Sequence, residues 1–332
     1  MKRVGWLYNE VLDIENVYEA MNDFNRRRPI YRRIKPCYLK AAELSERMRE
    51  DFAAVIGKPR TKQIHEAGKI RELEIPSYES CVAQLALWRV CGKYIERRIH
   101  NNSFSSRRGM GGHKARAKAR KFIRQHAKNK AKHCLYFDIK KFYQHIDKRI
   151  LMSRLEAIFK DPKVLEMFRK VIYSTPKGLP IGYPFSHALA NLYLVPLYFL
   201  CYSVGKRQYR VSKIFVYMDN WTIFSQYKKV LHEVRRHASE WLGRMGCSMK
   251  SDWQIFPTSS RYVNICGFRE SVRSTKLYRR IWHRIMRNVD KLRSDPENEK
   301  LYRSLMSRLG WLKAINRECS KPFEEERGKL WK

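Results

Sequence analysis

Short apolar runs separated by helical stretches characterise the segment between residues 134 and 268. Three of these runs have the length and residue types of buried β-strands: Cys134–Phe137, Ile214–Met218 and Tyr262–Phe268. Helical periodicity occupies about residues 150–172 and 185–203, between the first and the second run. This alternation predicts one sheet with helices packed on it, in the middle of the chain.

The segments on either side of this sheet are mainly helical. Residues 10–56 and 78–99 carry apolar side chains at helical spacing, whereas residues 62–76 alternate and predict a β-hairpin. From residue 269 onward the chain is basic and again helical. We therefore divide the chain into three predicted domains: 1–133, 134–268 and 269–332.

The net charge of the chain is strongly positive. Its 332 residues include 70 Lys and Arg but only 32 Asp and Glu, which gives a formal net charge of +38. Such a charge requires a polyanionic partner, and nucleic acid is the usual one. We find neither an apolar run that approaches a membrane span nor a signal peptide, and we expect a cytoplasmic protein with no membrane partner. No two of the eight cysteines have zinc-knuckle spacing, so we interpret them as buried thiols.

Two aspartates stand at the ends of predicted strands, where a carboxylate needs a partner. Asp138 follows Leu135-Tyr-Phe137, and Asp219 follows Val216-Tyr-Met218. A buried carboxylate is costly unless it is paired or binds a cation. Either aspartate alone suits a salt bridge to arginine. Two of them on neighbouring strands favour a pair of Mg²⁺ ions, the arrangement used for phosphoryl transfer.

A series of motifs in the chain resembles those of reverse transcriptases. Three are similar to the first aspartate motif, the template-and-nucleotide motif and the Tyr-x-Asp-Asp hairpin: Asp138-Ile-Lys-Lys-Phe-Tyr143, Gly178-Leu-Pro-Ile-Gly182 with Ser186 and Asn191, and Tyr217-Met-Asp-Asn220. Others resemble the fingers hairpin, the fourth palm motif, the primer grip and the thumb: Lys69-Ile-Arg71 before Ile75-Pro76, Lys250, Ile265-Cys-Gly-Phe268, and Ser304 with Gly310-Trp-Leu-Lys313. The resemblance covers about residues 15–315 and implies an α+β fold: a right-hand polymerase with fingers, an antiparallel-sheet palm and a helical thumb.

The resemblance implies an RNA-directed DNA polymerase, a nucleotidyltransferase that uses two metal ions. Asp138, Asp219 and the main-chain carbonyl of Ile139 would bind two Mg²⁺ ions, with Mn²⁺ as the alternative metal. Asn220 would assist them, and Lys250 would donate a proton to pyrophosphate. On residue chemistry alone, Lys250 is almost equally well explained as a surface lysine.

The same resemblance assigns the residues that would contact nucleotide, primer and template. Lys69 and Arg71 would hold the triphosphate, although alone they suit a solvated basic face. Tyr143 would pack under the sugar and exclude a 2′-hydroxyl, with ordinary core packing as the alternative. Gly182 would let the backbone approach the templating pair. Four residues would lie near primer and template: Ser186, Cys266, Gly267 and Phe268.

The middle motif distinguishes branches of this family. Many reverse transcriptases have Pro-Gln-Gly followed by Ser-Pro, whereas this chain has Pro180-Ile-Gly182 followed by Ser186-His187. That pattern is similar to enzymes of diversity-generating retroelements and to defence-associated bacterial reverse transcriptases. It implies cDNA synthesis on a structured non-coding RNA, with a DNA primer and dNTPs as further partners. It also implies an accessory protein or a second reverse transcriptase, or a homo-oligomer.

Two basic stretches, 107–132 and 272–293, are predicted to follow phosphates without reading sequence. The residues expected on the RNA backbone are Arg107, Arg108, Lys114, Arg116, Lys118, Arg120, Lys121, Arg124, Arg279, Arg280 and Arg284. Tyr278 and Trp282 are four residues apart and are expected on one helical face. Both are available to a sugar or base, with the core as the expected place for Trp282.

Asn220 departs from the family pattern, which has a second aspartate at this position. Its amide nitrogen cannot bind a cation. A natural active variant, a degenerate RNA-binding scaffold and an engineered substitution all account for it, and the intact Asp138 and Tyr143 favour a competent site. Template-independent or protein-primed DNA synthesis is a further alternative function.

Overall fold

The N-terminal part of the molecule is a helical layer with one β-hairpin. The computed structural model describes residues 2–26, 28, 34–66, 69–204 and 211–315. This part contains α1 (Tyr8–Leu12), α2 (Ile14–Arg26), α3 (Tyr38–Glu50), α4 (Phe52–Ile56), β1 (Arg60–Glu66), β2 (Lys69–Ile75) and α5 (Tyr78–Glu96). The strands β1 and β2 pair antiparallel from Glu66 and Lys69 outward, which confirms the predicted hairpin. The Ser77 side chain accepts a hydrogen bond from the Ser80 N–H and begins α5, as an N-cap does.

A five-stranded antiparallel sheet forms the centre of the molecule. The central segment contains α6 (Gly112–His126), β3 (His133–Lys140), α7 (Lys148–Glu156), α8 (Pro162–Tyr173), α9 (Ser186–Tyr193), α10 (Val195–Val204), β4 (Val211–Tyr217), β5 (Asn220–Ser225), α11 (Lys228–Arg244), β6 (Ser248–Met249) and β7 (Gln254–Pro257). The strand order is β4-β5-β3-β6, and β7 also pairs with β3. The predicted α+β fold class is therefore confirmed.

Strand β3 separates the hydrophobic core from the face that carries the aspartate. Leu135, Phe137 and Ile139 are fully buried in the largest core cluster, which also includes residues of α5, α8 and α9. Because side chains alternate along a strand, Tyr136 and Asp138 lie on the opposite face. Asp138 is opposite Asn220 in the register of β3 and β5.

Each of the two helices predicted next to the sheet is divided in two. The stretch 150–172 is interrupted between α7 and α8, where the Asp161 carboxylate accepts hydrogen bonds from the N–H groups of the first turn of α8. Pro162 has no N–H to donate and fits that first turn. The stretch 185–203 is interrupted at Leu194 between α9 and α10, and Pro196 lies in the first turn of α10. Both predictions of a continuous helix were therefore wrong.

The third apolar run does not belong to the central sheet. The run 262–268 contains β8 (Val263–Ile265) and the first residue of β9 (Phe268–Glu270), which form a hairpin; β9 also pairs with β10 (Thr275–Leu277) in a separate three-stranded sheet. The prediction of one continuous strand in one sheet was wrong because Cys266 and Gly267 form a tight turn with positive φ. This small sheet contacts the C-terminal helices α12 (Arg279–Ser294) and α13 (Glu299–Ile315) through Phe268 and Leu277.

One helical segment is apolar enough to compare with a membrane span. By length and composition alone, Ser186–Val204 meets that criterion, contrary to the sequence expectation that no run approaches it. However, 56% of the segment is buried within the fold. Leu189, Tyr193 and Leu197 are part of the largest core cluster, so the segment has the environment of a core helix.

Candidate active site

Asp138 and Asp219 lie together on the face of the central sheet opposite the largest core cluster. Asp138 is near the end of β3, and Asp219 lies in the two-residue turn between β4 and β5. The main-chain N–H of Ile139 donates to the carbonyl oxygen of Asp219 at 3.1 Å and fixes this turn against β3. The carboxyl groups are close enough to share a hydrogen bond when one is protonated. The structure thus brings together the two carboxylates that the sequence analysis selected.

The charge around the two carboxylates is only partly balanced. Burial, followed by the negative charge of Asp138, raises the pKa of Asp219 from 3.8 to about 6. The Nζ atom of Lys250 lies 2.5 Å from Asp138 Oδ2. Asp138 Oδ1 is buried and has no hydrogen-bond donor among the described residues. Lys250 therefore belongs to the site. Its single positive charge does not balance both Asp138 and Asp219, so the two carboxylates can still accept a cation.

This set of oxygen atoms fits divalent metal ions. Mg²⁺ prefers carboxylate oxygens as ligands and usually retains several waters. Asp138 Oδ1 is a carboxylate oxygen without a hydrogen-bond partner among the described residues, so it is available to bind such an ion. Within the described residues there is no group of three or more His, Cys, Asp or Glu side chains that could enclose an ion. The remaining ligands would be main-chain oxygen, as predicted for Ile139, together with water and substrate phosphates.

A cleft of about 970 Å³ opens beside the carboxylates, between the central sheet and the β1–β2 hairpin. Asp219, Lys250 and Tyr143 line it from the sheet side. Gln63, Ile70, Glu72 and Asp252 are among the further lining residues that the sequence analysis missed. The alternation along β2 was the signal for Ile70 and Glu72, which share one face of that strand. Lys69 and Arg71 also lie on β2, but their side chains are outside the described part, so their role stays a prediction.

Tyr143 is held between two other side chains at the base of the cleft. It belongs to a short 3₁₀ turn, Phe142–His145, directly after β3. Its hydroxyl lies 3.7 Å from the Met218 sulfur, and its ring centroid lies 5.6 Å from that of His187. Burial raises the pKa of the Tyr143 hydroxyl, which therefore stays protonated. The ring packs on one side and borders the cleft on the other, so it can restrict the space for a ligand.

The segment 178–182 connects Tyr143 to the β1–β2 hairpin. A Cβ atom on Gly178 would collide with the carbonyl oxygen of Tyr143, and one on Gly182 would lie 2.6 Å from the carbonyl oxygen of Glu74. Both glycines also have positive φ. The Glu74 carboxylate accepts a hydrogen bond from the Ile181 N–H at 2.8 Å. In this structure the close neighbour that requires glycine at position 182 is therefore strand β2.

Comparison with protein families identifies the chain. Residues 65–263 match the model of the family described as reverse transcriptase (RNA-dependent DNA polymerase). This range is more than half of the chain, and it includes both aspartates, Tyr143 and Lys250. The chain belongs to the reverse transcriptase family. No curated protein matches it in sequence.

Solved structures of telomerase have a similar fold. A truncated apo telomerase from Candida tropicalis superposes with a TM-score of 0.53 at 12% identity, over 73% of this chain and 60% of that one. Telomerase from Candida albicans, in complex with a fragment of telomeric RNA, gives 0.53 at 11% identity, over 86% and 58%. A second apo structure from Candida tropicalis gives 0.52 at 11% identity, over 71% and 53%. At these identities the likeness concerns the fold, and this reverse transcriptase chain spans little more than half of each telomerase chain.

The predicted primer grip of this reverse transcriptase is the turn between β8 and β9. Cys266 and Gly267 form the turn and border a cavity of about 300 Å³ that Tyr136 and Asn220 also line. Phe268 is only 1% exposed and packs against Trp311 with ring centroids 5.2 Å apart. Ser186 is also buried, at the first position of α9. Phe268 therefore fixes the turn to α13, and primer contact by these residues stays a prediction.

Asn220 is hydrogen-bonded on both sides of its amide. The Tyr136 hydroxyl donates to Asn220 Oδ1 at 2.8 Å, and Asn220 Nδ2 donates to Asp219 Oδ1 at 3.3 Å. Tyr136 was missed by the sequence analysis, although its position two residues before Asp138 places both on the same face of β3. Tyr278 immediately precedes α12 and lines the cavity, so it does not share a helical face with Trp282.

Two of the arginines predicted on the RNA backbone have structural partners. Arg116 and Glu270 form an ion pair at 2.7 Å, and their side chains are 7% and 0% exposed. Arg107 donates hydrogen bonds to the carbonyl oxygens of His100 and Ser103. For Arg116 the prediction of phosphate contact was wrong, because its charged group is buried in this ion pair. Arg107 is partly exposed, so its phosphate contact stays a prediction.

The other predicted basic residues form two accessible surfaces. Most are exposed on α6, on the loop before it or on α12: Arg108, Lys114, Lys118, Lys121, Arg124, Arg279, Arg280 and Arg284. Arg120 is partly buried, which lowers its pKa. A groove along α12 is lined by Arg279, Arg280, Arg284 and the additional residues His283 and Arg287. Trp282 is 41% exposed, so the expectation that it packs in the core was wrong.

Proposed function

We propose that the chain is an RNA-directed DNA polymerase that makes cDNA by two-metal nucleotidyl transfer. The observation that carries this proposal is the paired Asp138 and Asp219 with Lys250, at the edge of a cleft that Tyr143 borders. Paired carboxylates that retain unbalanced negative charge are suited to divalent cations. The cleft is large enough for a nucleotide beside them.

In this proposal each residue of the site has a defined task. Asp138 and Asp219 would hold the metal ions, with the carbonyl of Ile139 as a further ligand. When bound, two such ions lower the pKa of an attacking hydroxyl and stabilise the charge that develops on phosphate. Lys250 lies against Asp138 and would protonate the leaving pyrophosphate. The Tyr143 ring would exclude a 2′-hydroxyl and so select dNTPs.

The template would be a structured, dedicated non-coding RNA, bound through the basic surfaces of α6 and α12. The support is the excess of basic residues in the chain, +38, together with their exposure on these helices. The motif Pro180-Ile-Gly182 with Ser186-His187 supports a place in the branch of diversity-generating retroelements and bacterial antiphage defence. A DNA primer, an accessory protein or second reverse transcriptase, and a cytoplasmic location belong to this proposal.

The test is primer extension with purified protein, co-purified RNA, Mg²⁺ and dNTPs. We expect Asp138→Ala to abolish nucleotide addition and to leave RNA affinity unchanged, because only the metal ligand is lost. The matched control is Asp290→Ala, which removes an exposed carboxylate on α12 paired only loosely with Arg293, at 3.9 Å. Extension by Asp138→Ala at the rate of the unmodified protein would overturn the two-metal assignment.

An RNA-binding scaffold without polymerase activity is the second candidate, and Asn220 is the observation that favours it. A degenerate scaffold would have further defects, so Asn220→Asp alone would restore nothing. A competent site should show measurable polymerisation in the Asn220→Asp variant. Its absence, with RNA bound and Mg²⁺ saturating, would make the scaffold the better explanation. DNA synthesis that persists after removal of RNA would instead indicate template-independent or protein-primed activity.

A further inference from the structure

The ring of His187 contacts the ring of Tyr143 at the start of α9. The two ring centroids are 5.6 Å apart and the ring planes are inclined at 58°, which is within the range of aromatic pairs. His187 is the second residue of α9 and is half-buried. Many reverse transcriptases have proline at this position of the motif, and proline presents no aromatic ring to Tyr143. The contact therefore depends on the residue that this chain has at position 187.

The main chain on both sides of this contact is fixed. The carbonyl oxygen of Tyr143 accepts a hydrogen bond from the Leu179 N–H at 2.9 Å. At the start of α9, the Leu189 N–H donates to the carbonyl oxygen of Phe185 at 3.1 Å. Phe185 is only 2% exposed and belongs to the largest core cluster. The fold therefore determines where the two rings lie.

Tyr143 also has other side chains around it. The Met218 sulfur lies 3.7 Å from its hydroxyl, and the ring centroid of Phe142 lies 5.8 Å from its own. Tyr143 lines the cleft beside the carboxylates, whereas His187 is not among the residues that line it. His187 therefore contacts Tyr143 from outside the space that a nucleotide would occupy.

His187 packs on Tyr143 as a neutral aromatic group. Burial lowers the pKa of its imidazole, so the ring is uncharged at neutral pH. Burial also raises the pKa of the Tyr143 hydroxyl, which stays protonated. The contact between the two rings thus depends on the shape of residue 187 and not on a charge.

We propose that His187 is a positioning residue for sugar selection, because its ring packs against Tyr143 outside the cleft and holds the Tyr143 ring where it would exclude a 2′-hydroxyl. A ribonucleotide differs from a deoxyribonucleotide by one oxygen atom, so a ring that excludes it acts by collision and must not yield. Without the His187 ring, a space would open beside Tyr143 into which that ring could move. The inference rests on the proposed function, since it concerns the same cleft and the same nucleotide.

The test compares incorporation of one dNTP and of the matching rNTP by the full chain with co-purified RNA, primer and Mg²⁺. We expect His187→Ala to lower the preference for the dNTP about two- to tenfold, the range that one aromatic contact contributes. The change should arise from a higher kcat/KM for the rNTP, with kcat/KM for the dNTP nearly unchanged. A role in stability alone would lower both values together and would overturn the proposal.

Further variants make this test specific for the ring. His187→Phe keeps a ring beside Tyr143 and should retain the preference, whereas His187→Pro should behave like His187→Ala. If either of these two variants does not fold, His187→Gln replaces it, because glutamine has a similar length without a ring. The matched control is His100→Ala, since His100 stacks on Tyr198 with ring centroids 3.8 Å apart and does not line the cleft. It should leave the preference unchanged.

A double-mutant cycle tests whether His187 acts through Tyr143. In the Tyr143→Ala background, His187→Ala should have no further effect on the preference. An additive effect would overturn the proposal. A preference that Tyr143→Ala leaves unchanged contradicts the proposed role of Tyr143 itself. A preference that falls in Tyr143→Ala but not in His187→Ala contradicts only the role of His187.

Nucleotide binding gives the same comparison without turnover. The dissociation constants of the dNTP and the rNTP are measured on a primer that ends in a dideoxynucleotide, and their ratio should change in His187→Ala as the kinetic preference does. An unchanged ratio would overturn the role of His187. Unmodified protein that binds neither nucleotide would contradict the proposed function, and this inference with it.

Discussion

Removing the charge of Glu270 should destabilise the protein more than any surface substitution. The Glu270 carboxylate accepts hydrogen bonds from Arg116 Nε at 2.7 Å and from the Thr275 hydroxyl at 2.6 Å, and its side chain is 0% exposed. Glu270→Gln keeps the shape but leaves the Arg116 guanidinium buried without its counter-charge. Breaking a buried pair in this way costs about 3–5 kcal/mol. For a chain of this length that corresponds to a Tm lower by about 4–7 °C.

Thermal and denaturant unfolding followed by circular dichroism measure this loss. The control is Glu299→Gln, because Glu299 pairs with Arg303 at 2.6 Å while the two side chains are 65% and 78% exposed. We expect the control to stay within about 1 kcal/mol of the unmodified protein. The double variant Arg116→Met with Glu270→Gln should recover most of the loss, since no unpaired charge remains. A Glu270→Gln variant as stable as the control would refute this reasoning. So would an Arg116→Met variant in which the salt dependence of RNA affinity falls as much as in Lys118→Met.

Three further predictions concern the cleft. Tyr143→Ala should reduce the preference for dNTPs over rNTPs roughly 10–100-fold, measured by single-nucleotide incorporation, whereas Tyr143→Phe should retain it; an unchanged preference would make the ring a core residue. Mn²⁺ affinity should fall about tenfold from pH 7 to pH 5, because protons compete with the metal for Asp219. A carboxyl group with a pKa of about 6 changes from about 90% to about 10% ionised over this range. Calorimetry that shows less than a twofold change in affinity would contradict this prediction. Gly178→Ala should cost about 1–3 kcal/mol or more in unfolding free energy, since its Cβ would collide with the Tyr143 carbonyl; Gly243→Ala, in the open on α11, should not destabilise.

The positions of the carboxylates could be predicted because they depend on local sequence pattern. Asp138 and Asp219 each follow an apolar run, and the strands that these runs form, β3 and β4, both pair antiparallel with β5, so the two aspartates come to the same end of the sheet. The β1–β2 hairpin was predictable for the same reason. The pattern of a single strand does not identify a fold. The fold was identified by several motifs that occur in the chain in the order typical of the family.

The errors of the sequence analysis have a common physical origin in tertiary contacts. Arg116 was expected on RNA because its neighbours in sequence are basic, but helical geometry places it on the buried face of α6 with Ala119 and Ile123. Its partner Glu270 is 154 positions away, and no local pattern indicates such a pairing. Trp282 was expected in the core from its size, yet α12 buries Ile285 and Val289 on its other side. The tight turn at Cys266 also divides a run that reads as one strand.

The distribution of charge constrains the order in which ligands can assemble on this protein. Basic surfaces on α6 and α12 attract a phosphate backbone, but the cleft presents Asp138 and Asp219, which repel the same phosphates. Lys250 compensates for only part of that charge because its Nζ atom is engaged with Asp138 Oδ2 at 2.5 Å. A divalent cation converts the carboxylates from a repulsive into an attractive site for a triphosphate. Because Asn220 is neutral, a bound cation would face one carboxylate fewer than in the family pattern and would retain more of its positive charge for phosphate, while the Asn220 amide donates a hydrogen bond to Asp219. Metal and nucleotide binding should therefore reinforce each other more strongly here than in a site with three carboxylates.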